Sequence, residues 1–300
     1  MIYAKGCGLF DPSKNGFEEA IEIAKKSDIV IMFLGLTSQL EGEEGEAIPN
    51  PMGDRTDLKM PGVQEDLLKE INNLGKQIIM VITTGSALSI NYAKETIPVI
   101  LNMWYGGEEG GNAIADVLFG DYNPSGRLPI TLYKSIDDLP KFEDYNMDNR
   151  TYRYLKDKPL YPFGFGLSYT TFEYSDLVFS NSKIKTGDQL EIKFKIKNMG
   201  QFRGQEVAQL YISIQKESLL LPKIELKRFK KIDLEAGEEK DLTFVLKPED
   251  YCYINEDGIK IVEPLEIKFF IGGGQPNQNY EEHSYVEGRI EIVGKRLELD

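Results

Sequence analysis

The apolar period of this chain changes near Phe172, and a chain that changes period folds as two different kinds of domain. Upstream, helical and strand patterns alternate. Phe17, Ala20, Ile21 and Ala24 recur at the i, i+3, i+4, i+7 spacing of an amphipathic helix, and residues 29–34 form an apolar run typical of a strand buried on both faces. The order repeats: Leu67, Leu68, Ile71 and Leu74 mark a helix that Gly75 ends, and residues 78–83 supply the next strand. A third round passes Leu88 and Ile90, reaches a strand over 99–104, and turns at Gly106-Gly107. It then enters a helix through Ala113, Ile114, Val117 and Leu118 that closes near Gly120. Strands separated by crossover helices predict an α/β domain over residues 1–133, a partial doubly wound parallel sheet with helices on both faces.

Downstream the period is two. Leu190, Ile192, Phe194 and Ile196 alternate with Glu191, Lys193, Lys195 and Lys197, the pattern of a half-buried antiparallel strand. Further strands are expected at 206–214, 226–233, 240–246 and 265–271, separated by turn signals at 235–238 and 272–274. With no helical pattern between them, they predict an all-β sandwich over 172–300. Residues 134–171 join the halves and are too aromatic for a disordered tether, so they are expected to be an ordered linker packed on both domains. Each domain has material for a core, since 41% of residues are hydrophobic.

Charge narrows the function classes. Subtracting 49 acidic from 35 basic residues leaves −14, the wrong sign for neutralising phosphates or anionic headgroups, so neither nucleic acid nor membrane is expected as a partner. No apolar run approaches the roughly 18 residues of a membrane span, and MIYAKGCGLF lacks the apolar core of a signal peptide. Cys7 and Cys252 lie too far apart in sequence to suggest a disulfide framework, which favours a reducing compartment and a cytoplasmic location. His283 is the only histidine and stands in an acidic, polar stretch, so it reads as a solvated residue and histidine-based chemistry is not expected.

In doubly wound sheets sites form at the carboxyl ends of strands, here the segments after Leu34, Thr83 and Trp104. After the first, Glu41, Glu43, Glu44 and Glu46 crowd into six residues, followed by Asp54-Arg55. Crowded carboxylates repel, and in a dry pocket one of them is pushed toward the raised pKa that a general acid needs. The same run can equally be a solvated acidic loop or hold a divalent cation. Asp54 and Arg55 fit either a salt bridge that anchors this loop or direct substrate contact. Residues 106–111 resemble a phosphate-cradling turn but lack the Lys-Ser/Thr of a P-loop and carry acids, so they read as a helix cap. The Tyr and Phe cluster over 161–174 reads as packing ahead of a sugar-stacking platform.

Long motifs then resemble, in order, the C-terminal half of glycoside hydrolase family 3, the β-glucosidase and β-xylosidase family. They are LGLTSQLEGEE with GDRTDLKMPGVQEDLL, WYGGEEGGNAIADVLFGDYNPSGRLPITL, RTYRYLKDKPLYPFGFGLSYTTFEYS, GQEVAQLYI and ELKRFKKIDLEAGE. The resemblance covers nearly the whole chain, and LEGEE with the insertion before GDRTDL is most like the β-xylosidase-type members. It implies an α/β sandwich domain followed by a fibronectin type III-like domain. It also implies a retaining exo-acting hydrolase of terminal β-D-glycosyl residues that uses two carboxylates and needs no cofactor or metal. Counted from Gly35, the family's acid/base position falls on Glu43, with Glu41 and Glu44 as alternates by a shift of alignment. The family's nucleophile is an aspartate on a (β/α)8 barrel of roughly 250 residues, which does not fit in this chain. The resemblance therefore implies an N-terminally truncated α/β domain, with the barrel supplied as a further domain or a separate chain and a β-linked oligosaccharide or aryl glycoside as substrate. The contrasting reading is a non-catalytic carbohydrate-binding or assembly module.

Overall fold

The structure is a computed structural model and describes residues 1–41, 55–216, 218–276 and 284–299. The chain divides into two compact units, residues 1–119 with 132–139 and residues 120–131 with 140–300. Residues 134–139 of the expected linker thus belong to the first unit and 140–171 to the second.

Among the described residues the first unit is built on three parallel strands, β1 (Ile29–Gly35), β2 (Gln77–Thr83) and β3 (Val99–Asn102), in the order β1-β2-β3. The helix α1 (Phe17–Lys25) precedes β1, with Glu18 and Glu19 in its first turn and Lys25 in its last, complementing its dipole. A one-turn helix, α2 (Ser38–Glu41), follows β1. Next come α3 (Gln64–Asn72) between β1 and β2, α4 (Asn91–Thr96) between β2 and β3, and α5 (Gly110–Phe119) after β3. One sheet face buries Met32, Leu34, Ile78, Met80 and Ile82 together with Leu67, Leu68 and Ile71 of α3. Each such side chain contributes roughly 1.5 to 3 kcal/mol.

The opposite face is thinner than the expectation of helices on both faces. Val81 on the central strand is buried there, while Ile29, Phe33 and Val99 on the flanking strands are exposed. The described strands add in one direction only, and right-handed connections between successive neighbours put their helices on the same side. The strand expected over 99–104 stops at Asn102 because Trp104 has φ 57°, a left-handed conformation no strand can contain.

Among the described residues the second unit is all-β apart from the one-turn helix α6 (Thr151–Tyr154) and a short 3-10 turn. Its strands are β4 (Phe172–Phe179), β5 (Lys183–Lys185), β6 (Leu190–Asn198), β7 (Gly204–Ile214), β8 (Glu225–Leu234) and β9 (Glu239–Leu246). They continue as β10 (Tyr253–Ile254), β11 (Lys260–Val262), β12 (Glu266–Gly272), β13 (Tyr285–Val293) and β14 (Leu297–Leu299). A five-stranded sheet, β5-β13-β12-β7-β8, and a three-stranded sheet, β4-β6-β9, share one core, and β10-β11-β14 forms a third small sheet. Leu190, Ile192 and Phe194 of β6 stand opposite Leu246, Phe244 and Leu242 of β9, all buried, so the period-two pattern points inward as read.

The strand β7, between β12 and the edge strand β8, is buried on both faces along its second half. Leu210 and Ile212 face the main core, while Tyr211 belongs to a separate cluster with Ile224 and Phe270, against which Tyr152 and Phe163 pack. Phe163 stacks on Tyr152 with ring centroids 4.2 Å apart. Phe163 is therefore used for packing, as Phe172 and Tyr174 are in the main core, the use read for these residues from sequence. Gly164 lies at φ 78°, and a Cβ there would meet the Gln209 side-chain oxygen at 2.3 Å, so only glycine lets the segment lie this close.

Candidate functional site

The carboxyl end of β1 is fixed by one buried side chain. Gln64, 2% exposed at the start of α3, accepts from the Gly35 N–H at 2.7 Å and donates to the Gly35 carbonyl at 2.8 Å and the Leu9 carbonyl at 2.7 Å. Gly35 has φ 130°, and a Cβ would stand 2.1 Å from the Thr83 carbonyl oxygen. The neighbouring Leu36 N–H donates to that oxygen at 2.6 Å, which joins the ends of β1 and β2. From this point the chain turns through α2, with Leu36 and Leu40 buried, and arrives at Glu41.

Glu41 is the hub of the site. Its Oε1 accepts from the Gly85 N–H at 2.7 Å, the Tyr105 hydroxyl at 2.7 Å and the Thr84 hydroxyl at 3.4 Å. Its Oε2 accepts from the Ser86 hydroxyl and lies 3.8 Å from Nη1 of Arg55. Arg55 in turn donates to Ser86 Oγ at 2.9 Å, the Ala87 carbonyl at 3.2 Å and the Lys59 carbonyl at 3.5 Å. The two charged side chains are 22% and 11% exposed. Residues from the carboxyl ends of all three strands thus meet on one carboxylate, where the topology of a parallel sheet puts a site.

The electrostatics follow from these contacts. Burial by itself raises the Glu41 pKa, but the Ser86 and Tyr105 hydroxyls, the Gly85 N–H and the Arg55 charge outweigh it and hold the carboxyl below its ordinary value. The Tyr105 phenol moves the other way, raised by burial and by donating to an anion. The left-handed backbone at Trp104 immediately precedes Tyr105, an uncommon conformation of the kind that collects at functional sites.

Of the residues that the sequence singles out, Glu41 and Arg55 are described and are brought together. Glu43, Glu44, Asp54 and His283 lie outside the described residues. The carboxylate that Arg55 meets among the described residues is Glu41. Sequence reasoning missed Gln64, Ser86 and Tyr105, although the last two stand just after the strand ends where sites are expected. Residues 106–111 behave as a helix cap: Gly110 N–H donates to the Gly107 carbonyl at 3.0 Å, and a Cβ on Gly106 would stand 2.9 Å from the Gly110 Cα. Among the described residues no three His, Cys, Asp or Glu side chains cluster as a metal site requires, and both described cysteines are free.

The model of the glycosyl hydrolase family 3 C-terminal domain matches residues 6–169, and that of a fibronectin type III-like domain matches residues 206–275. The chain is 38% identical over 275 residues to a beta-xylosidase of Formosa agariphila, covering 90% of this chain and 37% of that protein. It is 34% identical over 311 residues to thermostable beta-glucosidase B of Acetivibrio thermocellus, covering 97% of this chain and 40% of that protein. Among solved structures, a β-glucosidase from Erythrobacter marinus superposes with a TM-score of 0.85 at 35% identity, over 97% of this chain and 41% of that one. The chain thus spans 37–40% of the length of these curated relatives.

Proposed function

The chain belongs to glycosyl hydrolase family 3, and on that premise we propose that it is the acid/base-bearing C-terminal half of a retaining, exo-acting β-glycosidase. Its substrate is a β-linked oligosaccharide or aryl glycoside, from which it removes the terminal non-reducing β-D-xylosyl or β-D-glucosyl residue. Glu43 is the acid/base, and the nucleophile is an aspartate on a (β/α)8 barrel contributed by another part of the same protein or by a separate chain. In the first step the aspartate attacks the anomeric carbon while Glu43 gives its proton to the departing glycosidic oxygen. In the second, Glu43 takes a proton from water as that water displaces the aspartate.

One observation carries the reading. The acidic run begins at the carboxyl end of β1, and its first member, Glu41, is already saturated with donors and held ionised. A carboxylate in that state is a poor proton donor, which supports assigning the acid to Glu43 ahead of Glu41. The test is release of nitrophenol from β-xyloside and β-glucoside substrates, by the 300-residue chain alone and with the barrel present, each with Glu43→Gln. Activity that needs the barrel and falls with Glu43→Gln is expected. Turnover that survives Glu43→Gln in both forms sinks the assignment.

A further inference from the structure

We propose that the second unit carries a ligand site of its own, a cavity of about 350 Å3 walled by the end of β7, the start of β8 and α6, and that its ligand is a small monocarboxylate with an apolar or aromatic body. The proposal does not depend on which residue is the acid/base.

The walls suit an apolar body. A volume of this size falls at the small end of ligand pockets, which run from about 300 to 1,000 Å3. Ile212 and Ile214 of β7 are buried at the wall, whereas Leu220 and Ile254 on the same wall remain 62% and 60% exposed. Apolar surface left in water on a concave wall favours an occupant that removes it. Tyr154 and Tyr253 add aromatic surface to the lining.

The charges select the head group. Arg153, Lys227 and Lys260 line the cavity against Glu225 and Glu249, three cations to two carboxylates, in a chain whose net charge is −14. Glu225 serves two of the cations at once. It lies 3.0 Å from Lys227 Nζ, but at 3.6 Å from Arg153 Nη2 it is beyond hydrogen-bond reach of the guanidinium. The Lys227 and Glu225 side chains are only 16% and 19% exposed, so solvent screens this excess charge weakly. Arg153 is also held in place: its guanidinium stands 6.0 Å over the Tyr152 ring, which stacks on Phe163. A forked guanidinium beside one surplus positive charge matches a carboxylate. A neutral sugar would leave that charge unanswered, and a phosphate dianion would exceed it.

The cavity contains its own reporter. Cys252 is on the wall, half-buried, with its thiol donating to the Glu249 carbonyl at 3.3 Å, and Cys7 in the first unit is an internal control. Alkylation of both thiols by iodoacetamide in the 300-residue chain, followed by mass spectrometry, is compared with 3-phenylpropionate, 3-phenylpropan-1-ol or xylose present. A fragment of this size binds with millimolar affinity, so about 10 mM 3-phenylpropionate is expected to slow Cys252 about threefold or more and leave Cys7 unchanged. The alcohol, which has the same body without the charge, and xylose should protect far less. Arg153→Met keeps an apolar stem and is expected to weaken protection by the carboxylate about tenfold, the worth of one charge-assisted contact. Should that change disturb the unit, seen as an altered Cys252 rate without ligand, Arg153→Lys replaces the fork by a point charge and is judged by the same comparison. No protection by 3-phenylpropionate overturns the site. Equal protection by the alcohol or xylose overturns the carboxylate assignment, as does protection undiminished in the Arg153 variants.

Discussion

Arg127 and Glu206 form an ion pair inside the second unit, with side chains only 8% and 2% exposed. Arg127 also donates to the Gly273 carbonyl at 3.0 Å, and the Tyr174 hydroxyl donates to Glu206 at 3.2 Å, so each charge has a second partner. Burial pushes the Glu206 carboxyl up, and Arg127 and Tyr174 pull against it. The pair thereby pins residues 120–131 to β7. Arg127→Ala leaves a buried carboxylate without its cation and is expected to destabilise the second unit by about 3 to 5 kcal/mol. Replacing both residues with apolar ones should cost less than the two single changes summed. Urea titration followed by tyrosine fluorescence measures this, and a loss below about 1 kcal/mol for the single change contradicts the account.

Gln64 offers a second test, because one amide satisfies three backbone groups at 2.7–2.8 Å. Gln64→Met keeps the volume but orphans the Gly35 N–H, the Gly35 carbonyl and the Leu9 carbonyl. At about 1 to 3 kcal/mol for each buried unsatisfied group, the loss should be at least about 2 kcal/mol and should be felt at the end of β1. Thermal unfolding and exchange at Gly35 read it. A melting temperature within a degree of wild type means that water takes over these bonds.

The fold was legible where period alone determines it. Residues 29–34 and 78–83 are strands as read, and Leu190 to Ile196 alternate inward as read, because burial of one face is a local pattern. The site was legible only to its neighbourhood. The run from Glu41 to Glu46 presents similar carboxylates in sequence, and the donors that gather on Glu41 come from 44, 45 and 64 residues farther along the chain. Nothing local encodes those contacts. The same holds for 140–171, whose aromatic content announced packing while leaving unstated that Tyr152 and Phe163 cover the outer face of β7.

The lowered pKa of Glu41 makes the first unit's stability depend on pH with a definite sign. The unfolded carboxyl titrates near 4.5 and the folded one lower. The stabilisation is therefore fully present above about pH 4.5 and is lost as pH falls through the folded value. Glu41→Gln cannot titrate. The stability difference between wild type and Glu41→Gln should be constant above pH 5 and shrink toward pH 3, as melting curves at fixed ionic strength will report. A difference that does not vary over that range contradicts an ionised Glu41 in the folded chain.

The assignment of Glu43 is tested most sharply by varying the leaving group. A general acid matters in proportion to how badly the departing oxygen needs a proton: a dinitrophenolate leaves unaided, whereas a sugar or alkyl alkoxide does not. In the barrel-containing enzyme, Glu43→Gln should therefore leave kcat/KM for dinitrophenyl β-glycosides close to wild type. For unactivated disaccharides it should fall by about 100- to 10,000-fold, the usual worth of positioned proton transfer. The slope of log kcat/KM against leaving-group pKa must steepen in the variant, because the negative charge on the departing oxygen is no longer quenched. Arg55→Lys, which keeps the charge but loses the forked donor set that reaches Ser86, Ala87 and Lys59, should lower rates for both substrate kinds together. A variant at Glu43 whose loss is uniform across leaving groups would instead mark that residue as a positioning group and move the proton donor to Glu44.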